Sequence, residues 1–401
     1  MARPESNDVK GALLFAGGQM RFDNAAVWER FIDLADGKSA RIAVIPAASQ
    51  APRETGQEVV EHFNRYGGRA EVVLIAPMLK GADFRAAAAD PANGDKLRKA
   101  DAIWFTGGDQ RRITQALFAA DGSQTPALKA IWEAYRQGAV VGGTSAGAAI
   151  MSRVMFAEAL GPLETLKQGI TKGKHVDTGL GFLPDDWFVD QHFLARGRFA
   201  RALCAMRDYE LKFGIGVDED TAVVFRRGTF EVVGRTGALV MDLRDASHDP
   251  ALPAFNLKKA RLSYLDAGDR MDARTLNVTV SQGKAEGRRI DPKAKDFEPW
   301  ATDASELFYA DILANRAIYG AMVRSLSSKQ GVVKGLAFSQ AEGAARNDLG
   351  FEFRTYRGDD TIGWWSSSGG NGTYTVWNVY VDIAPIKLAQ TLYEPIRVPK
   401  E

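Results

Sequence analysis

Cysteine and histidine are scarce in this chain of 401 residues, which holds a single cysteine, Cys204, and four histidines. A lone cysteine cannot close an intramolecular disulfide, and without a cluster of thiols there is no structural zinc site of the usual spacing. Neither sign of charge is in excess: 51 Lys and Arg meet 50 Asp and Glu, for a formal net charge of +1. That balance gives no sign of a surface for nucleic acid or for an anionic membrane. The N-terminal MARPESNDVKG is polar, so the chain as given shows neither a signal peptide nor a transmembrane helix there. There is no internal repeat and no long low-complexity tract. What remains is the composition of a soluble globular protein, 45% hydrophobic and 25% charged, long enough for one large domain or two ordinary ones.

Five short apolar runs punctuate the first 150 residues: ALLFAGG from Ala12, ARIAVIPAAS from Ala40, AEVVLIAP from Ala70, AIWFTGGD from Ala102 and AVVGGTS from Ala139. Helix-compatible stretches such as NAAVWERFIDLA separate them, so they read as parallel strands covered on both faces. The fold class expected is α/β, with an open, mostly parallel sheet flanked by helices. A sixth run, WFVDQHF from Trp187, precedes the basic segment LARGRFARAL. Shorter runs follow and predict a mixed or antiparallel edge. From Ser281 the segment SQGKAEGRRIDPKAKDFEPW is charged and reads as a linker or surface loop. A helix with an Asp303/Glu306 capping box then runs to about Ser325, and aromatic, alternating segments suggest a small β-rich C-terminal extension. The expected division is thus residues 1–280 and 281–401.

The stretch VVGGTSAGAAIM, Val140 to Met151, carries the chemistry. Ser145 stands between Gly143 and Gly147 where an apolar β-branched run gives way to a helix-favouring one. In a Gly-x-Ser-x-Gly turn the serine takes a strained backbone and its hydroxyl points out of the sheet, beside free N–H groups of the next helix. A serine needs a base. His62 reads as a helix-surface residue, and His175 and His248 as loop residues. His192 falls at the end of a predicted strand, where an α/β sheet places its site. A carboxylate must orient the imidazole, and Glu158, Glu164, Asp177, Asp185, Asp186 and Asp190 all lie between Ser145 and His192; spacing does not choose among them. Ala146, following the serine, supplies one oxyanion N–H, and Gly107 or Gly108 in FTGGDQRR supplies the other. The carboxylates of GVDEDTA, Gly216 to Ala222, fit no metal loop and read as a polar turn. Neither a metal nor a cofactor is expected.

FTGGDQRRI, GGTSAGAAIM and DQHFLARGRFARAL, in that order, resemble the cyanophycinase group of serine peptidases, whose family also contains aspartyl dipeptidase. The resemblance spans roughly residues 10 to 275. It implies a class I glutamine amidotransferase-like fold, with Ser145 as nucleophile, His192 as base and Gly108 and Ala146 as the oxyanion hole. Glu164 in GPLETL is the matching acid, with Glu158 in reserve. The resemblance also implies a cyanophycin substrate, a polyaspartate bearing arginine on each β-carboxyl, cut to β-aspartyl-arginine dipeptides. Gln110, Asp190, Gln191, Arg196, Arg198 and Arg201 fall on the pocket positions. Within the family the alternative is an aspartyl or isoaspartyl dipeptidase; outside it, a non-catalytic protein gripping the polymer with Trp364, Trp365, Tyr374, Trp377 and Tyr380, aromatics that equally suit a small β core. The last 121 residues depart from the compact pattern and can cover the mouth of the site, contribute to a homodimer or anchor to polymer granules. Longer members of the group tend to be exported, which leaves the compartment open.

Overall fold

A computed structural model describes residues 9–300, 307–339, 341, 346–367, 372–389 and 392. Its first half builds a parallel sheet. Strand β1 (Ala12–Ala16) is followed by α1 (Ala25–Leu34), β2 (Arg41–Ile45), α2 (Pro52–Arg65) and β3 (Arg69–Val72). Helices α3 (Phe84–Ala89) and α4 (Pro91–Lys99) lead to β4 (Ala102–Phe105), and α5 (Gln110–Leu117) and α6 (Pro126–Gln137) to β5 (Val140–Thr144). These are the five apolar runs of the sequence. All residues of β1 and β4 are buried, as expected of strands covered on both faces. One face packs on α1 and α2 through the aromatic cluster Trp28, Phe31, Phe63 and Trp104.

The short helix α7 (Ala146–Ala149), a two-stranded ribbon of β6 (Val154–Phe156) and β7 (Val176–Thr178), and α8 (Pro162–Gln168) between them lead to β8 (Trp187–Gln191). After α9 (Phe199–Asp208), β9 (Phe213–Val217) pairs parallel with β8 and opens a second sheet. Strand β10 (Thr221–Arg226) returns to the first sheet, antiparallel to β1, and β11 (Thr229–Gly234) pairs with it. Strands β12 (Gly237–Asp242) and β13 (Leu257–Asp266) extend the second sheet, while β14 (Arg270–Asp272) and β15 (Val278–Thr279) close the edge of the first. The chain therefore crosses between sheets in the three residues from Asp218 to Asp220. Facing sides of the two sheets share one apolar core, including Val189, Ile215 and Val240 from one and Phe15, Val223 and Phe230 from the other.

The chain beyond residue 280 continues the second sheet. Helix α10 (Gln282–Ala285), β16 (Arg288–Ile290), β17 (Phe308–Tyr309), α11 (Ala317–Ser327), β18 (Val332–Ala337) and the long hairpin β19 (Leu349–Ser366) and β20 (Thr373–Lys387) complete the described elements. Strand β20 pairs directly with β13, giving the order β17-β18-β19-β20-β13-β12-β9-β8. Division at residue 280 thus has no counterpart in the sheet, whose hydrogen bonds run straight across it. Phe351, Phe353, Val379 and Val381 share a core with Phe199, Leu203 and Met206 of α9. The segment expected to be a surface loop anchors itself by Lys284, whose buried ammonium lies 2.6 Å from Asp266. Helix α11 begins at Ala317, and the Asp303/Glu306 capping box lies outside the described residues. Trp365 and Tyr374 pack on the second core and Trp377 on the first, which favours the core role of those aromatics.

Candidate active site

Ser145 sits between β5 and α7 with φ 53° and ψ −108°, a left-handed-side conformation that a non-glycine residue adopts at a cost of about 1–3 kcal/mol. The flanking glycines make the bend possible: a Cβ on Gly147 would lie 2.4 Å from the Phe105 carbonyl oxygen, and one on Gly143 would lie 2.8 Å from the Gly147 backbone. The same turn packs closely and leaves Ser145 half-buried, its hydroxyl beside His192. The Ser145 N–H donates to Ala16 O at the end of β1, fixing the elbow against the central strand.

His192 follows β8 and is itself at φ 49°. Its backbone N–H donates to Gly17 O at 2.7 Å, which draws the end of the second sheet onto the end of β1. The ring stacks against Gly18, where a Cβ would come within 2.2 Å of it, so only glycine fits beneath the imidazole. Nε2 of His192 lies 3.0 Å from Ser145 Oγ, and Nδ1 lies 2.7 Å from Glu219 Oε1. The three side chains form one hydrogen-bonded line.

Glu219 stands where Glu164 was expected. Glu164 is exposed in the first turn of α8, with its carboxylate folded back over Gly161, and Glu158 is exposed and paired with Arg111. Neither bonds His192. Glu219 belongs to GVDEDTA, read from the sequence as a polar turn, and the structure gives each of its acids a separate task. Asp218 accepts from Ala195 N, Glu219 holds His192, and Asp220 accepts from Arg21 N and Asn24 Nδ2. The signal available was positional: the apolar strand FGIGV runs straight into the acids. Its parallel register with β8, Gln191 opposite Val217, places Glu219 just beyond the histidine.

Burial lowers the pKa of His192 below that of a free imidazole. The Glu219 hydrogen bond opposes this, and the Arg196 and Arg198 charges add to it. The ring is therefore neutral at neutral pH and can accept a proton at Nε2. Ala146 is the first residue of α7, so its N–H lacks an intrahelical acceptor. The Gly107–Gly108 turn lies against the elbow, since a Cβ on Gly107 would touch Ser145 Cβ at 3.5 Å.

Of the six pocket positions, Arg196 alone is exposed, and one of its guanidinium nitrogens is 3.8 Å from Glu219. Gln110 donates to Phe156 O at 2.7 Å. Arg198 donates to both the backbone and the side-chain oxygen of Gln191, and its burial lowers its pKa to about 10. Asp190 and Arg201 are 1% and 5% exposed and bind each other through two 2.8 Å hydrogen bonds, with Phe156 stacked on the guanidinium. The guanidinium that Asp190 holds is the chain's own. His62 also departs from expectation: it is buried on α2, stacked on Phe22 at 3.8 Å.

Residues 12–233 match the model of peptidase family S51. The chain belongs to that family. It is a serine-type peptidase, and its S51 core carries Ser145, His192 and Glu219 within the matched span. Among curated relatives, the cyanophycinase of Geminocystis herdmanii is 32% identical over 271 residues, covering 66% of this chain and 93% of its own. That of Synechococcus elongatus is 33% identical over 283 residues, covering 67% and 81%, and that of a Nostoc species is 31% identical over 277 residues, covering 67% and 87%. A solved peptidase structure from an acI-B1 Actinobacterium matches 66% of this chain and 98% of its own, at 23% identity and a TM-score of 0.47. The S51 match ends at residue 233, before most of the second sheet.

Proposed function

We propose that this peptidase hydrolyses cyanophycin to β-aspartyl-arginine dipeptides through an acyl-enzyme on Ser145. The observation that carries the chemistry is the line Ser145 Oγ, His192, Glu219, at 3.0 and 2.7 Å. His192 Nε2 takes the serine proton as Oγ attacks a main-chain carbonyl of the polyaspartate. The product keeps its side-chain amide to arginine, so the main-chain bond is the one cut. Gly108 and Ala146 N–H groups hold the oxyanion, each such donor contributing about 3–4 kcal/mol to the transition state. The imidazolium, stabilised by Glu219, then protonates the leaving amine, and water attacks the acyl-enzyme with His192 as base again.

Support for the polymer comes from the cyanophycinases matched over two thirds of the chain and from the arginines beside the line. Exposed Arg196 offers a planar fork to a free carboxylate of the substrate, while the Asp190–Arg201 and Gln191–Arg198 pairs hold the pocket wall. Mass spectrometry of soluble products from insoluble cyanophycin, with wild type and Ser145→Ala side by side, tests the reading. Release of β-aspartyl-arginine by the wild type alone is the expected result. Equal release by the variant overturns the nucleophile, and cleavage of aspartyl dipeptides but not polymer overturns the substrate.

A further inference from the structure

The line of catalytic side chains is braced by a residue outside the S51 match. Arg316, at the start of α11, lies between Tyr264 and Tyr319, with its guanidinium carbon 5.8 and 4.8 Å from their ring centres. Nη2 donates to Tyr264 Oη at 3.2 Å, and Nη1 pairs with Asp218 Oδ2 at 3.2 Å. Asp218 is buried and immediately precedes Glu219. Its other oxygen accepts the N–H of Ala195, three residues after His192. The same stretch of the extension reaches the histidine loop twice more. Arg316 N donates to Leu194 O at 3.0 Å, and Gly197 is so close to Leu313 that a Cβ there would lie 2.2 Å from its carbonyl oxygen.

We propose that Arg316 is a positioning residue for hydrolysis, holding the Glu219 turn and the His192–Arg198 loop in register through Asp218. The inference rests on the reading of Ser145, His192 and Glu219 given above. Its physical basis is the separation of the two loops in sequence: one follows β8 and the other follows β9. A buried carboxylate bonded to both needs a fixed cation, since an unpaired buried charge shifts or draws in water. An arginine supplies a rigid fork that bonds Asp218 and Tyr264 together, which lysine cannot do.

The test uses the full chain and two readouts, the rate at which a fluorophosphonate labels Ser145 and steady-state hydrolysis of cyanophycin. Arg316→Ala should slow labelling about 10- to 100-fold, as expected when a catalytic line is displaced by a fraction of an ångström to an ångström. In hydrolysis kcat should fall with KM little changed. Arg316→Lys should recover part of the loss, and Asp218→Asn combined with Arg316→Ala should be no slower than the worse single variant. Arg354→Ala, an exposed extension arginine on β19, should leave both readouts unchanged. Labelling of folded Arg316→Ala at the wild-type rate overturns the proposal. If that variant does not fold, Asp218→Asn, which keeps an acceptor for Ala195, decides in its place by the same labelling criterion. A wild type that is labelled but leaves cyanophycin intact refutes the substrate reading and leaves this inference standing; a wild type that is not labelled refutes both.

Discussion

The two sheets contribute to the site in different ways. The parallel part of the first sheet delivers Ser145 from within a single strand-turn-helix unit, so everything the elbow needs, including Gly143, Gly147 and the α7 N-terminus, lies within a few residues. The second sheet delivers His192 and Glu219 from two strands, and their meeting depends on the β8–β9 register, on Gly17 and Gly18 after β1, and on the crossover from β9 to β10. A serine positioned by local geometry tolerates distant change, whereas the His192–Glu219 pair inherits any slip between strands. The chain after residue 280 strengthens the less local half, since β20 extends the same sheet and α11 brings Arg316 to Asp218.

The sharpest way to break this comparison is at the acid. Glu219→Gln should lower kcat about 10³- to 10⁴-fold, because the glutamine no longer stabilises the imidazolium. Glu164→Gln and Glu158→Gln should stay near wild type when the three are assayed together. A large loss at Glu164 with none at Glu219 would undo the geometric assignment.

A second test asks whether the extension is integral to the second sheet or merely attached to it. Lys284→Met leaves Asp266 buried without its cation, with Asp269 close by. Loss of one partner of such a pair costs about 3–5 kcal/mol. Chemical denaturation should show that loss in a single transition. A separate early transition confined to the extension, with the S51 core unmoved, would show the two parts to be uncoupled.

The smallest expected effect concerns pH. His192 must be neutral to act, and burial lowers its pKa, so activity should persist as pH falls through 6.5 and fade only below it. Glu219 raises that pKa, so the acid limb of Glu219→Gln should lie lower still. A wild-type limb centred above 6.5 in the pH profile of kcat/KM would contradict the burial argument.

The five parallel strands, the elbow and the histidine after β8 were legible because each has a local cause: continuous apolar runs, flanking glycines, and a site at strand ends. The resemblance points to Glu164, with Glu158 in reserve, because it looks for the acid in the segment after the nucleophile helix, and Glu219 lies outside the Ser145–His192 interval that the sequence offers for it. The acids of GVDEDTA looked like a turn, and they do form one. Their division among Ala195, His192 and Asn24 is invisible in a sequence that does not record which strands are neighbours. Taken alone, α2 puts His62 on its polar surface, and the loop carrying Phe22 covers it. Lys284 lies in a charged run and is buried because Asp266 receives it.

The sequence by itself determined the strands of the first sheet, the serine at a strand-to-helix turn and a histidine at a strand end, since backbone sterics and apolar periodicity act over a few residues. Only the tertiary structure decided which carboxylate meets His192, which pocket arginines are engaged within the chain, and that residues after 280 continue the second sheet. Those outcomes depend on strand register and on ion pairs between residues far apart in the chain, and side-chain period alone leaves both open.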